Sequence, residues 1–395
     1  MTAHPANIPN CDIDFWSDEV ILNPWPHYAG MRELGPVIWM AQHGNYALTR
    51  HAEVRAGLQD HQCFSSAQGV AGDAFGCSFL QGNTVASDPP RHRQLCHAMA
   101  PPLLPSAMAS IRDGVQTQAD ELIAGLVQRD EFDAIADLAR YLPLAVVRDL
   151  VGLPDFGQDR MLAWAGAAFD VLGVQNERGC QALETIAEMR EFIARDVTPE
   201  TLKPGSWTQR VLGLVDEGKL DPELAPFALR DYINPSLDTT IAATGQLIWQ
   251  LGRNPDLWQL LRDDPALLHG AVHEAVRLGS PIRSFSRHAV QDVEVAGITI
   301  PAGSRVMMVY ASANRDERVF PEPDLFQPAR DPKLHLGFGT GIHMCVGMNV
   351  AVLEMECLLR AILDQASAVE LGEPAIVLNN TIQAFAKLPA SFTAR

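Results

Sequence analysis

The stretch Leu336-Gly337-Phe338-Gly339-Thr340-Gly341-Ile342-His343-Met344-Cys345-Val346-Gly347 decides the reading of this chain. It sets Cys345 in a glycine-rich loop, directly ahead of the helical run Met348-Asn349-Val350-Ala351-Val352-Leu353-Glu354-Met355-Glu356. A helix N-terminus carries partial positive charge and unpaired N–H donors, and both stabilise a sulfur anion. Gly339 and Gly341 allow a tight turn and close approach to a flat ligand. Gly347 leaves room where a side chain would collide with that ligand. The plainer alternative is a buried free cysteine beside a turn, since free Cys often serves as a small core residue.

Outward from this loop, the 395-residue chain shows no internal repeat, low-complexity run or linker. Asn23-Pro24-Trp25-Pro26 opens a short helix through Glu33. Val37–Met40 and Tyr46–Thr49 read as a strand pair around His43-Gly44. From Ser106 to Ala271 apolar residues recur at three- and four-residue steps, for example Ile111, Val115, Ala119, Leu122, Ile123 and Leu126. Strands return at Val293–Val295, Ile298–Ile300 and Arg305–Val309, with glycine turns between them. Strands so far apart in sequence are expected to pair, which argues for one co-folded unit.

The net charge of -18 argues against nucleic acid and acidic membrane surfaces as partners. No apolar run is long enough for a spanning helix, and the start Met1–Asn7 shows no signal peptide. The seven cysteines are scattered without zinc-ligand or redox spacing, which fits a reducing cytoplasm.

The pattern Phe-Gly-x-Gly-x-His-x-Cys-x-Gly resembles the haem-binding loop of the cytochrome P-450 monooxygenases, with every specified position met. The resemblance covers nearly the whole chain. It implies a mainly helical fold with a smaller β portion. It further implies a single catalytic domain over residues 1–395, holding haem b between the long central helix and the cysteine-loop helix. By the same resemblance Cys345 is the iron ligand, in a loop that includes Phe338, Gly339 and Gly347. His92 in Asp88-Pro89-Pro90-Arg91-His92-Arg93, Arg287 and His343 become partners of the haem propionates. Cys96 stands where an arginine is usual, with Arg93 as a possible substitute. Glu274 and Arg277, three apart on one helix face, look like the Glu-x-x-Arg motif, with Arg330 as third member of a buried structural network. Taken alone they read as a surface ion pair.

Asp238 and Thr239 match the acid–alcohol pair that relays protons during dioxygen activation. Pro235 and Ser236 replace the usual alanine and glycine, and Pro235 is expected to bend the helix. Asp231, Asn234 and Asp238, at i, i+3 and i+7, are expected to line one helix face.

Within the family, the chain is most similar to bacterial enzymes that demethylate para-methoxybenzoates. Those relatives hold the substrate carboxylate with an arginine and serines. The matching positions here are Phe79, Gly82, Asp231 and Asn234. A carboxylate beside Asp231 would be repelled, so a neutral methoxyphenol-type substrate is expected. Val85, Phe169, Leu172, Ile282 and Phe285 match pocket positions and would form a flat apolar slot; the plainer alternative is five ordinary core residues, with the pocket favoured for Phe169 and Phe285. No dinucleotide fingerprint or iron–sulfur cysteine cluster is present. Electrons from NAD(P)H would therefore arrive through a separate ferredoxin or flavodoxin with its reductase, docking on the cysteine side near Arg93 and Lys333. A monomer is the default state. The rival readings are a peroxide-driven peroxygenase and a non-catalytic haem sensor or carrier.

Overall fold

The computed structural model describes residues 7–395, so most of the start inspected for a signal peptide lies outside it. Helices dominate, and strands from both ends of the sequence pair as expected. The largest sheet joins Asn10–Cys11, Val37–Met40, Asn45–Leu48, Arg305–Met308, Phe285–Ala289 and Phe64–Ser65 in that spatial order. Tyr46 pairs with Val306 in parallel register, closing the ends of the chain onto each other. Phe285–Ala289 escaped the sequence reading, because Ser286, Arg287 and His288 break its apolar alternation. The C-terminal strands Ala366–Leu371 and Pro389–Ala394 were also missed.

Three helices frame the cysteine loop. The cysteine helix, Met348–Gln365, starts just beyond Gly347 and buries Leu353, Cys357 and Leu358. It packs along Pro105–Leu126 and against Leu267–Gly279. The central helix, Asp238–Arg253, lies between Leu267–Gly279 and the helix Asp155–Val171. No described helix is long and apolar enough to cross a membrane.

One expectation is corrected. Asp231, Asn234 and Asp238 do not share a continuous helix. The helix Ala225–Ile233 ends before Asn234, and the central helix restarts at Asp238. Pro235 lacks the N–H that would bond the Asp231 carbonyl. The effect is therefore a break where the sequence suggested a bend.

Close packing places Gly270 against the segment that crosses behind the loop. A Cβ there would lie 1.9 Å from the Pro328 carbonyl oxygen, part of the backbone. Gly270→Ala is expected to cost roughly 1–3 kcal/mol despite alanine's better helix propensity. A lowered urea midpoint checks this, and an unchanged one counts against the contact.

Candidate haem-thiolate site

The loop turns where its glycines allow. Gly339 and Gly341 have φ of 68° and 72°, in the left-handed region. A side chain at Gly341 would also press its Cβ to 2.6 Å from the Leu58 carbonyl oxygen. The Cys345 N–H donates to the Phe338 carbonyl at 2.8 Å, which closes the loop. Cys345 is open to solvent on one side and walled by protein on the others. That enclosure pushes its thiol up, and the backbone N–H groups of Gly347 and Met348 pull it down. A sulfur so placed becomes an anion readily only when a cation binds it.

The loop is fixed from behind by buried charge. Glu274 and Arg277 are 2% and 1% exposed and make two bonds of 2.7 Å each. Arg330 donates to Glu274 at 3.1 Å. The surplus positive charge is taken up by main-chain carbonyls. Arg277 donates to those of Asn314, Pro323 and Leu325, and Arg330 to those of Pro321 and Glu322. Asn314 carries this order into the loop, since its side-chain oxygen accepts from the Leu336 N–H at 2.6 Å.

His92, Arg287 and His343 come together although they lie far apart in sequence. The His92 and His343 rings are 4.4 Å apart. Burial, then the charge of Arg287, push the His343 imidazole far below its ordinary value. Arg287 is 3% exposed and has no carboxylate partner among the described residues, its NH1 donating to the Ser286 carbonyl. His343 Nε2 is buried with no hydrogen-bond partner among the described residues. A buried guanidinium lacking an anion, beside an orphaned imidazole nitrogen, fits a ligand that brings carboxylates. Arg93 is exposed on the helix Arg91–Met99 and stands outside this cluster. Cys96 Sγ lies 3.4 Å from His92 Nε2.

The slot residues also gather. Phe169 and Leu172 form an apolar cluster with Ala242 of the central helix, and Phe79, Val85, Ile282 and Phe285 pack against it. Asp238, half-buried at the start of the central helix, has Oδ2 where a Cβ on Gly166 would meet it at 3.5 Å. Burial pushes its carboxyl up to about 7, eased by Arg140 and reinforced by Asp170. The Thr239 hydroxyl donates to the Pro235 carbonyl at 3.1 Å, and no hydrogen bond joins it to Asp238. Asp231 accepts from the Thr84 hydroxyl and, at 3.2 Å, from its N–H. Burial pushes that carboxyl up to about 6. Sequence reasoning missed Thr84 and Arg190, because nothing local marks a residue whose partner lies on another element.

Sheet, loop and buried cations together define a haem-thiolate protein. Residues 238–389 match the family model described as Cytochrome P-450. The chain is 36% identical to cytochrome P-450 CYP199A2 of Rhodopseudomonas palustris, over 99% of this chain and 96% of that one. It is 31% identical to cytochrome P-450-terp of a Pseudomonas species, over 95% and 94% of the two chains. The crystal structure of CYP108D1 from Novosphingobium aromaticivorans superposes with a TM-score of 0.80 at 26% identity, covering 97% of this chain and all of that one. The chain belongs to the cytochrome P-450 family. It is a monooxygenase that uses haem b, dioxygen and electrons delivered by redox partners.

Two outcomes are expected. Glu274→Gln leaves two guanidinium groups facing a neutral amide, which should cost about 3–5 kcal/mol. It should lower the fraction of purified protein carrying haem, measured as Soret absorbance per protein. Normal loading would show the network to be dispensable. Asp238 is protonated in the fold at pH values where the unfolded chain has lost that proton, so its contribution is full below about pH 4 and is lost as pH rises through about 7. Relative to wild type, Asp238→Asn should therefore gain stability between pH 5 and pH 8, as read from paired urea midpoints. A constant difference between the two would remove the claim. Comparing the pair cancels the buried histidines, whose lowered values act in the opposite direction.

Proposed function

We propose that this monooxygenase hydroxylates a small aromatic, with a methoxyphenol-type compound demethylated as its main reaction. The single observation that carries this reading is the clustering of Phe169 and Leu172 with Phe79, Val85, Ile282 and Phe285 beside the central helix, one turn beyond Asp238 and Thr239. Such a slot suits a flat ring. Similarity to para-methoxybenzoate demethylases favours a methoxy carbon as the position attacked. Phe79 and Gly82, in place of an arginine and a serine, favour a neutral ring over a benzoate.

When bound, haem b ligated by Cys345 supplies the dioxygen activation. The chain's own residues orient and protonate. His92, Arg287 and His343 would hold the propionates. The apolar slot excludes water and points the ring edge. Asp238, with a carboxyl near neutrality, is suited to passing protons inward, and the Thr239 hydroxyl would receive them once it leaves the Pro235 carbonyl. Hydroxylation of an O-methyl carbon gives a hemiacetal, which collapses to a phenol and formaldehyde. An acid–alcohol pair favours this over a peroxide-driven route.

The donor, a ferredoxin or flavodoxin, would dock on the cysteine side. A cleft of about 630 Å³ opens there, lined by Arg55, Arg112 and Lys333 as well as Phe338 and Met344. Those cations locally offset the acidic surface. We further infer a cytoplasmic monomer.

The test is product formation with a ferredoxin, its reductase and NAD(P)H. Formaldehyde released in step with cofactor oxidation from 4-methoxyphenol, and about tenfold slower from 4-methoxybenzoate, is the expected result. The reverse order would replace the substrate class. Equal turnover with hydrogen peroxide alone would replace the mechanism.

A further inference from the structure

We propose that Asp170 is a positioning residue for proton delivery: it keeps the proton on Asp238 until the Thr239 hydroxyl takes it. The inference rests on the reading above in which Asp238 and Thr239 pass protons inward. It adds a carboxyl which that reading does not use.

The geometry starts at Gly166, on the helix Asp155–Val171. Asp238 Oδ2 lies where a Cβ on Gly166 would touch it, at 3.5 Å, so the carboxyl packs on bare backbone. Asp170 follows four residues later, about 5–6 Å along the same helix face. One loop fastens both ends of this turn. The Asn379 amide donates to the Gly166 carbonyl at 3.1 Å, and the Asn380 N–H donates to Asp170 Oδ1 at 2.8 Å. The Asn380 amide also donates to the Asp170 carbonyl at 3.0 Å. Asn380 sits so close to Gly173 that a Cβ there would lie 2.2 Å from its own. The Asp170 carboxyl is thereby tethered one turn from the place where Asp238 meets the helix.

Charge gives this tether a use. Asp170 forms no ion pair among the described residues, and Arg178 pairs with Asp18 instead. Arg178 also donates to the Trp16 carbonyl and to Asn380 Oδ1. Arg283, the other cation that bears on Asp170, donates to the carbonyls of Phe15 and Asn380. Burial pushes Asp170 up to about 6, and the Asn380 N–H and these two arginines ease it. Asp238 feels two charges from its neighbours: Arg140, which caps the helix Tyr141–Val151, and Asp170. Burial holds Asp238 higher, at about 7. The two carboxyls therefore part roles near neutral pH. Asp170 is ionised, and its negative charge opposes ionisation of Asp238. A cation on that helix face would instead drain the proton away.

The experiment uses holoenzyme whose reduced carbon monoxide spectrum shows thiolate ligation. Asp170→Asn removes the charge and keeps an oxygen for the Asn380 N–H. Asp170→Ser replaces it if that variant fails to fold. The first readout is the stability gained by Asp238→Asn, from paired urea midpoints between pH 4 and pH 9. The pH at which this gain levels off should fall by about half a unit to one unit in the neutral Asp170 background. The second readout is donor-driven NAD(P)H oxidation against pH, whose high-pH limb should fall by the same amount. Asp170→Glu should leave both where they are, and Arg140→Gln should move both up. An unmoved stability readout, or losses equal at every pH, makes Asp170 a structural tether only and overturns the inference. A shift in stability with an unmoved oxidation limb overturns its part in proton delivery. Absence of formaldehyde from 4-methoxyphenol in wild type would remove the substrate class alone, since neither readout depends on it.

Discussion

A carboxylate, Glu274, with two guanidinium groups around it, buried where water cannot screen them, is the constraint on which the rest of this structure depends. Such a group is expensive to bury, and it persists only where geometry satisfies every remaining donor. Here the main chain does so. The carbonyls that accept from Arg277 and Arg330 belong to the segment running from Asn314 through Leu325 toward the loop. That segment has little regular secondary structure of its own. Its path is set by where the guanidinium forks can reach. Asn314 then hands the order on, donating to Ser280 and accepting from Leu336 at the loop's entry. The position of Cys345 is thus fixed by charge before any ligand is considered.

That indirect support matters because the loop itself is poor in packing. Four of its twelve residues are glycine, and Met344, Cys345 and Val346 are exposed. Left to its own contacts it would sample many conformations. Short turn bonds shape it, the Cys345 N–H closes it onto the Phe338 carbonyl, and the Leu336 N–H ties it into the network. Beside it, Arg287 and His92 meet the loop's own His343, and this cluster presents positive and hydrogen-bonding capacity with little among the described residues to answer it. A site with unanswered positive charge beside a sulfur that a metal cation would ionise is suited to a metal porphyrin carrying carboxylates.

The loop, the helix behind it and the hairpin of Val37–Met40 with Asn45–Leu48 were legible because each leaves a local mark: glycine spacing, helical periodicity, alternation around a turn. The Glu274–Arg277 pairing was visible as a spacing. Its burial was not, since an i,i+3 pair looks the same on a surface. Phe285–Ala289 was hidden because the buried polar residues Ser286 and Arg287, followed by His288, interrupt its apolar alternation. The Arg190 contact with Phe79 left no trace, because it joins two helices distant in sequence. Local pattern reports what a residue does to its own element, and sites are made between elements.

Pro235 shows how far a single substitution spreads. By removing one N–H it ends a helix, and the carbonyls around the break must find other donors. Side-chain hydroxyls provide them: Ser236 donates to the Tyr232 carbonyl and Thr239 to the Pro235 carbonyl. Both are local side-chain to backbone bonds of the kind that compete with helix. Ser236, the second departure from the family pattern, thus accompanies the first as its repair. The break also uncouples two carboxyl groups. Asp231 stays with the first helix and turns to Thr84, while Asp238 opens the second and faces Arg140 and Gly166. On a continuous helix both would approach the ring from one face and repel each other. Divided by the turn, one carboxyl is spent on structure and the other remains free near neutral pH. The proline therefore divides the two helices without removing the half-buried carboxyl of Asp238 at the start of the second.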